Sequence, residues 1–99
     1  MNLKLSETIV GGQYSNFAVI AHSSSEFVID FAKILPGVDH AEVGSRVIMA
    51  PEHAKRLMIA LNDNIEKYEA QFGKIRMHSA GGTDVLPHVE FGGDNTPQA

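Results

Sequence analysis

Histidine is the side chain most often used for metal binding and proton transfer, and this chain has five of them. They are His22, His40, His53, His78 and His88. A zinc site on a helix needs two histidines four positions apart on one face, and no two have that spacing. We therefore interpret the histidines as solvated residues of loops and element ends. A metal site built across loops from His78 and His88 is the less favoured alternative.

Other catalytic groups do not fall into recognisable patterns either. There is no cysteine, which excludes thiol catalysis, disulfides and cysteine-bound zinc. No serine lies in a G-x-S-x-G turn, and no glycine pair has the spacing of a phosphate-binding loop. Ser45, His53 and Asp30 could be drawn as a triad, but any chain of this size offers such trios. We therefore predict a protein without enzymatic activity and without a cofactor or metal.

The most suggestive polar cluster consists of three basic residues: Arg46, Lys55 and Arg56. They flank a predicted strand–helix junction, where they would form a small anion-binding patch. Three aromatic residues predicted on the neighbouring sheet would add a base-stacking surface: Tyr14, Phe17 and Phe27. We favour a structural role instead, because Arg46 is equally able to form an ion pair with Asp30 across the sheet or with Glu42. The formal net charge of −4 also argues against a phosphate-backbone partner.

Two of these cations lie on a helix predicted over 51–72. Apolar residues recur there at spacings of 4, 3, 4, 3 and 4, which indicates one helix face: Ala54, Met58, Leu61, Ile65, Tyr68 and Phe72. Pro51 suits the first turn, and Glu52 adds a favourable charge there. Gly73 is typical of a left-handed C-cap. Ala50 is a poor N-cap, because its side chain accepts no hydrogen bond from the first-turn amides.

Alternation with period two predicts three strands before the helix. The first covers 14–22, the second covers 27–31, and the third alternates strictly from about 41 to 49. Ser23-Ser24-Ser25 indicates a hairpin loop, and Pro36-Gly37 ends the second strand. A further strand over 3–9 is only weakly patterned. The order (β)βββα predicts an α+β fold, an antiparallel meander of three or four strands packed on one long helix.

Both faces of the predicted sheet are apolar, whereas a single helix covers only one. We assign Phe17 and Val19 to one face and Ile20 and Val28 to the other. Burying a large apolar side chain stabilises a protein by about 1.5–3 kcal/mol, so leaving several in water is costly. We therefore predict a homodimer or higher oligomer. The helix stripe is close to a 3.5-residue repeat, which suits a seam between helices.

The composition changes after Ile75, where glycine and proline become frequent and apolar residues few. We predict one α+β domain over 1–75 and a flexible C-terminal tail over 76–99, with a short docking strand at 86–91 as the alternative. A hydrophobic share of 43% and a charged share of 20% are typical of a soluble globular chain. The sequence contains no secretory-signal pattern and no apolar run of about 20 residues. We therefore expect a cytoplasmic protein without a membrane partner.

Several blocks resemble a known family. They are QYSN at 13–16, SEFVIDF at 25–31 and SRVIMAPEHAKRL at 45–57, followed by Leu61, Asn64, Tyr68, Glu69 and Phe72-Gly73. In this order, between Gly11 and Ile75, they resemble the prokaryotic family of domains of unknown function numbered about 3467. Ala50 departs from the pattern, in which a serine or threonine caps the helix. The resemblance implies a small cytoplasmic domain of strands followed by one helix, and it implies no activity.

In layout alone, a meander followed by a long helix is similar to the export chaperone SecB and to small single-stranded nucleic-acid binders of the Whirly kind. Fold does not determine function. We expect a homo-oligomeric interaction module that binds protein segments through an apolar sheet face or an open edge strand. The alternative is single-stranded nucleic-acid binding at the basic cluster. The partners expected are a second copy first, then another protein, with nucleic acid the least favoured.

Overall fold

The computed structural model describes residues 1–77 and the backbone of 89–91. Its elements are β1 (Phe17–His22), β2 (Phe27–Lys33), β3 (Glu42–Met49), α1 (Pro51–Phe72) and β4 (Val89–Phe91). The strands form one sheet in the order β3-β2-β1-β4. Because β1, β2 and β3 are antiparallel and are followed by one helix, the predicted α+β class is confirmed.

The hairpin between β1 and β2 turns at the serine triplet, as predicted. Ser23 N–H donates a hydrogen bond of 2.9 Å to the carbonyl of Glu26. At the other end of the hairpin, Asn16 prolongs the pairing through its side-chain amide. Its Oδ1 accepts a hydrogen bond from Ile34 N–H at 2.8 Å, and its Nδ2 donates to the carbonyl of Ile34 at 3.1 Å. The two strands are therefore held together from end to end.

β3 pairs with β2 across one irregularity that the alternating pattern did not predict. Phe31 pairs with Ser45, whereas Ala32 pairs with Val43, so Gly44 is an additional residue on β3. Such a bulge shifts the side chains beyond it by one position. Val43 therefore lies on the opposite face from Ser45, and the predicted strict alternation of β3 is wrong at this point.

The register also corrects the predicted sheet faces. Ala21 pairs with Val28, and residues directly opposite one another share a face. Val28 therefore lies with Phe17 and Val19, not with Ile20. One face, here called the helix-side face, carries Ala18, Ile20, Phe27, Ile29, Phe31, Val47 and Met49. The other, the far face, carries Phe17, Val19, Ala21, Val28, Ala32, Val43 and Ile48.

Among the described residues, the core is small and lies in the β1–β2 hairpin. Within residues 1–77 the buried apolar residues are Ala21, Val28, Ile29 and Ala32. Three of them are on the far face and one, Ile29, is on the helix-side face. Both faces therefore contribute to the core, and within residues 1–77 neither carries a cluster of large buried side chains.

α1 begins and ends at the predicted residues. Ala54 N–H donates to the carbonyl of Ala50 at 3.0 Å, and the Ala50 side chain makes no capping bond, as expected. Gly73 has the expected positive φ of 95°, but its ψ of 168° is extended, so the predicted left-handed cap is wrong. Its N–H donates to the carbonyl of Glu69 at 2.9 Å.

The relation of α1 to the sheet differs from the packed layer that we predicted. α1 is described throughout, and none of its 22 residues is buried. Ala50 alone separates β3 from α1. This short link fixes where the helix begins, but it does not make the rest of the helix pack against the sheet. The amphipathic pattern specified a helix. The described residues of the chain do not bury the apolar side of that helix.

Two other predictions concern the chain ends. The weakly patterned strand over 3–9 is wrong: Ile9 and Val10 N–H both donate to the carbonyl of Ser6, forming a turn. At the other end, β4 pairs in parallel with β1, which makes the sheet mixed rather than a pure meander. The docking strand is thus confirmed for 89–91. The remainder of the predicted flexible tail beyond 77 lies outside the described residues.

Candidate functional site

Within the described residues, the fold creates an apolar groove between α1 and the helix-side face. Its volume is about 690 Å³. The sheet lines it with Ile20, Phe27 and Ile29, and the helix with Pro51, Ala54, Lys55, Leu57, Met58 and Leu61. Lys55 is the one lining residue that is not apolar. An open apolar groove of this size is within the range of clefts that bind ligands, which makes it a candidate binding surface.

The apolar stripe of α1 begins in the groove, continues past it, and is exposed along its whole length. Met58 is 60% exposed and Leu61 56%, and the stripe ends at Phe72, which is 66% exposed. The rings of Tyr68 and Phe72 lie 4.9 Å apart, centroid to centroid. The stripe is defined as Leu57, Met58, Leu61, Ile65, Tyr68 and Phe72, and no other described element of the chain covers it.

The remaining faces of α1 carry charged residues that pair along the helix. Arg56 Nη2 lies 2.7 Å from Glu52 Oε2, and Lys67 Nζ lies 3.1 Å from Asp63 Oδ2. Both pairs are four residues apart and exposed, which is favourable for a solvated helix surface. α1 is thus amphipathic: its charged side is suited to solvent, and its apolar stripe is suited to packing against another surface.

The three basic residues predicted as a patch are not brought together. Arg46 pairs with Asp30 on the far face, through bonds of 2.7 Å from Nε and 2.8 Å from Nη2. Arg56 is held by Glu52, whereas Lys55 lines the groove on the other side of the sheet. The ion pair between Arg46 and Asp30, which we favoured as one of two structural roles for Arg46, is confirmed.

The electrostatics of this pair follow from its two-point geometry. The hydrogen bonds from Arg46 hold the pKa of Asp30 below its ordinary value and outweigh the opposing effect of partial burial. The same contact raises the pKa of Arg46. A bidentate arginine–carboxylate pair satisfies both groups, so the charge of Arg46 is already engaged within the sheet.

The three aromatic residues predicted as a stacking surface also lie apart. Tyr14 precedes β1 and is 70% exposed. Phe17 lies on the far face, paired with Ala32 at one end of the hairpin. Phe27 lies on the helix-side face at the other end, stacked on His22 with ring centroids 5.4 Å apart. Only Phe27 contributes to the groove.

A second feature is the open edge of the sheet at β3, a surface of the kind that was expected from the sequence, although the strand was not named. This strand ends the order β3-β2-β1-β4, and its apolar residues are exposed: Val43 by 53%, Val47 by 36% and Ile48 by 53%. In an antiparallel meander the last strand lies at one end of the sheet, and the order β3-β2-β1-β4 places β3 there.

The described residues contain no group of three or more histidine, cysteine or acidic side chains arranged to hold a metal. Among those residues, no helix combines the length and apolar character needed to cross a bilayer. The groove and the β3 edge are the candidate binding surfaces of the described residues.

Comparison with known protein families finds one whose sequence model covers most of the chain. The sequence model of the family described as "Protein of unknown function (DUF3467)" matches residues 1–77, so the chain belongs to that family. The match includes all of β1, β2, β3 and α1 and confirms the resemblance noted over 11–75. No curated protein and no solved structure matches the chain.

Proposed function

We propose that this member of the DUF3467 family is a homodimeric interaction module in which the groove of each copy receives the α1 stripe of the other. The observation that carries the proposal is a 22-residue helix without a buried residue, lying beside an apolar groove. Most helical stability in proteins comes from packing an apolar face rather than from intrinsic propensity. A second copy supplies that packing with residues the chain already has.

The exposed area is sufficient for a stable dimer. The six stripe residues are between 37% and 66% exposed. At roughly 200 Å² for a large side chain, they offer on the order of 600 Å² per chain. Two chains would then bury about 1,200 Å² from the stripes alone, which is the lower limit of specific interfaces. The sheet residues that line the groove add to this area.

The chemistry of the surfaces also favours a second copy. Groove and stripe are apolar, while the charged pairs of α1 lie away from the stripe and stay in water. Two-fold symmetry places the same patch on both copies, so a self-complementary surface closes after two chains. Lys55, at the groove margin, keeps its ammonium group in solvent while its aliphatic stem packs.

A nucleic-acid function is the alternative that we weighed, and the ion pairs argue against it. Arg46 and Arg56 each have a carboxylate partner, and the formal net charge is −4. Titration with single-stranded oligonucleotides at low and high salt tests this alternative. Micromolar affinity that falls steeply with salt, as counterion release requires, would favour it over the interaction module.

Sedimentation equilibrium tests the dimer. We expect twice the chain mass of 10.7 kDa for the native protein at micromolar loading. Leu61→Glu places a charge in the apolar contact and should weaken association about a hundredfold, equivalent to about 2.8 kcal/mol. Ala60→Glu is the matched control, because it adds the same charge one position away, beside Arg56 on the solvated side. A native protein of single-chain mass, or equal effects of the two variants, would contradict the proposal.

A further inference from the structure

We propose a second interaction surface, beyond self-association: the outer edge of β3 over residues 45–49 binds an extended segment of a partner protein by strand addition. An edge strand presents unpaired N–H and C=O groups that an incoming strand can match. Among the described strands, β3 has a neighbour on one side, β2. Its other side is the place where the sheet can be extended.

The open part of this edge has defined limits. At the bulge, Gln13 Nε2 donates a hydrogen bond of 3.1 Å to the carbonyl of Gly44. A side chain at Gly44 would clash with this amide, because its Cβ would lie 2.6 Å from Gln13 Nε2. The bulge and Gln13 therefore occupy the edge at its N-terminal end. From Ser45 to Met49 the register with β2 is regular, which leaves five residues for a partner strand.

The usual protection of an edge is missing over these five residues. Natural edges are protected by proline, lysine or inward-pointing charges. The segment 45–49 contains neither proline nor lysine, and its one charged residue, Arg46, is engaged by Asp30. Val47 and Ile48 are exposed on opposite faces of the sheet. The partner is therefore an extended segment with apolar side chains on both of its sides.

A second copy of β3 fits this edge less well than a foreign strand. In a two-fold antiparallel pair centred on Val47, Pro51 of one copy would lie opposite Val43 of the other. α1 begins at Pro51, and the bulge contacted by Gln13 lies beside Val43. The start of α1 in one copy would therefore clash with the bulge and Gln13 in the other copy. A short extended segment of a partner protein does not continue into a helix, so it avoids this clash.

The probe is a fluorescein-labelled heptapeptide that alternates valine and isoleucine between lysine ends, so that both of its sides are apolar. We expect micromolar binding by fluorescence anisotropy, with slower amide exchange over 45–49. The control peptide has proline at its centre, which keeps both charges but removes an N–H from the ladder. It should bind at least about tenfold more weakly, a difference of about 1.4 kcal/mol. Equal binding of the two peptides, or protection of the groove instead, would overturn the proposal.

Two variants of the protein localise the site. Ile48 and Val43 are each 53% exposed on the same strand and face, but the bulge separates them. Ile48→Lys should weaken peptide binding at least about tenfold, and Val43→Lys less than about twofold. Equal losses would place the peptide elsewhere. Exchange protection in the native protein needs no variant, so the test stands even if a substitution unfolds the chain.

The outcome can be separated from that of the dimer proposal. Ile48→Lys should keep the dimer mass, and Leu61→Glu should bind the heptapeptide as a monomer, because the two surfaces share no residue. Loss of the dimer in Ile48→Lys would mean that the β3 edge joins two copies, which would overturn strand addition by a foreign segment. A monomeric native protein that binds the peptide would contradict the dimer alone.

Discussion

The β1–β2 hairpin and α1 differ in how far their apolar residues are buried. The hairpin contains all four buried apolar residues found within residues 1–77, whereas α1, a longer element, contains none. Both were recognisable from periodicity, and both begin and end close to the predicted residues. The difference lies in their neighbours: the hairpin is flanked by β3 and β4, while α1 is joined to the sheet through Ala50.

This contrast shows that an amphipathic pattern identifies an element but not the surface that covers it. Backbone pairing in the sheet fixes the hairpin within one chain, so its burial does not require a second copy. A helix satisfies its own backbone bonds and depends on side-chain packing for its place. We therefore expect substitutions in the hairpin to act on folding at every concentration, and substitutions in the stripe to act through association.

The largest expected effect is in the hairpin. Ile29 is 7% exposed, and Ile29→Ala should destabilise the protein by about 3 kcal/mol, since it removes buried methyl groups and leaves a cavity. Ile59→Ala is the same chemical change on α1, at a residue that is 56% exposed, and should cost less than about 0.5 kcal/mol. Urea unfolding measures both. Similar losses in the free energy of unfolding at the two positions would contradict the contrast between the hairpin and α1.

An intermediate effect that depends on concentration is expected in the stripe. Leu61→Ala should cost about 2 kcal/mol at concentrations where the dimer forms, and a few tenths of a kcal/mol at strong dilution. The reason is mass action: a contact made only between copies stabilises the fold only when copies meet. Urea midpoints at two protein concentrations provide the measurement. A loss independent of concentration would show that Leu61 is covered within its own chain.

A smaller gain is expected at the start of α1. Ala50 has the extended backbone of an N-cap, with φ of −68° and ψ of 155°, but no capping bond. Ala50→Ser should stabilise the protein by about 0.5–1 kcal/mol, because a hydroxyl can accept from the first-turn amides. Ala60→Ser, inside the helix, should instead destabilise it by about 0.5 kcal/mol. Thermal unfolding distinguishes the two, and a gain at both positions would exclude capping as the cause.

The smallest effect is the pH dependence of the Asp30–Arg46 pair, whose contribution solvent reduces because the Arg46 side chain is 49% exposed. The folded pKa of Asp30 lies below its ordinary value of 3.8. Its stabilisation is therefore present above that value and is lost as pH falls through the lowered folded pKa. Asp30→Asn should flatten this part of the acid-unfolding curve. An unchanged curve would mean that the pair does not link protonation to folding.

Local rules accounted for much of the fold. The hairpin at the serine triplet, α1 from Pro51 to Phe72 and the uncapped Ala50 were all predictable from turn chemistry, periodicity and capping. Asp30 was one of the two carboxylate partners predicted for Arg46. The bulge at Gly44 was not predicted, and the error in face assignment at Val28 arose because the register of a hairpin depends on which residues close its turn.

The candidate sites were less predictable. Six residues were proposed as a basic patch and a stacking surface. Three of them lie on the sheet and are divided between its two faces, two lie on α1, and Tyr14 precedes β1. A one-residue difference in register exchanges the faces of a strand, so proximity in sequence did not translate into a shared surface. An open edge strand was expected, but the strand was not named. The parallel pairing of β4 with β1, which covers the other side of the hairpin, joins segments that are distant in sequence.

The amino-acid sequence alone determined the types and limits of the main elements, because hydrogen bonding within a helix and alternation along a strand are short-range effects. It also indicated that one chain has more apolar surface than its own elements cover. Only the tertiary structure decided which residues share a face, which strand forms the edge, and that α1 has no buried residue. These depend on register and on packing between distant segments, where a shift of one residue or a few ångströms changes which surface is exposed.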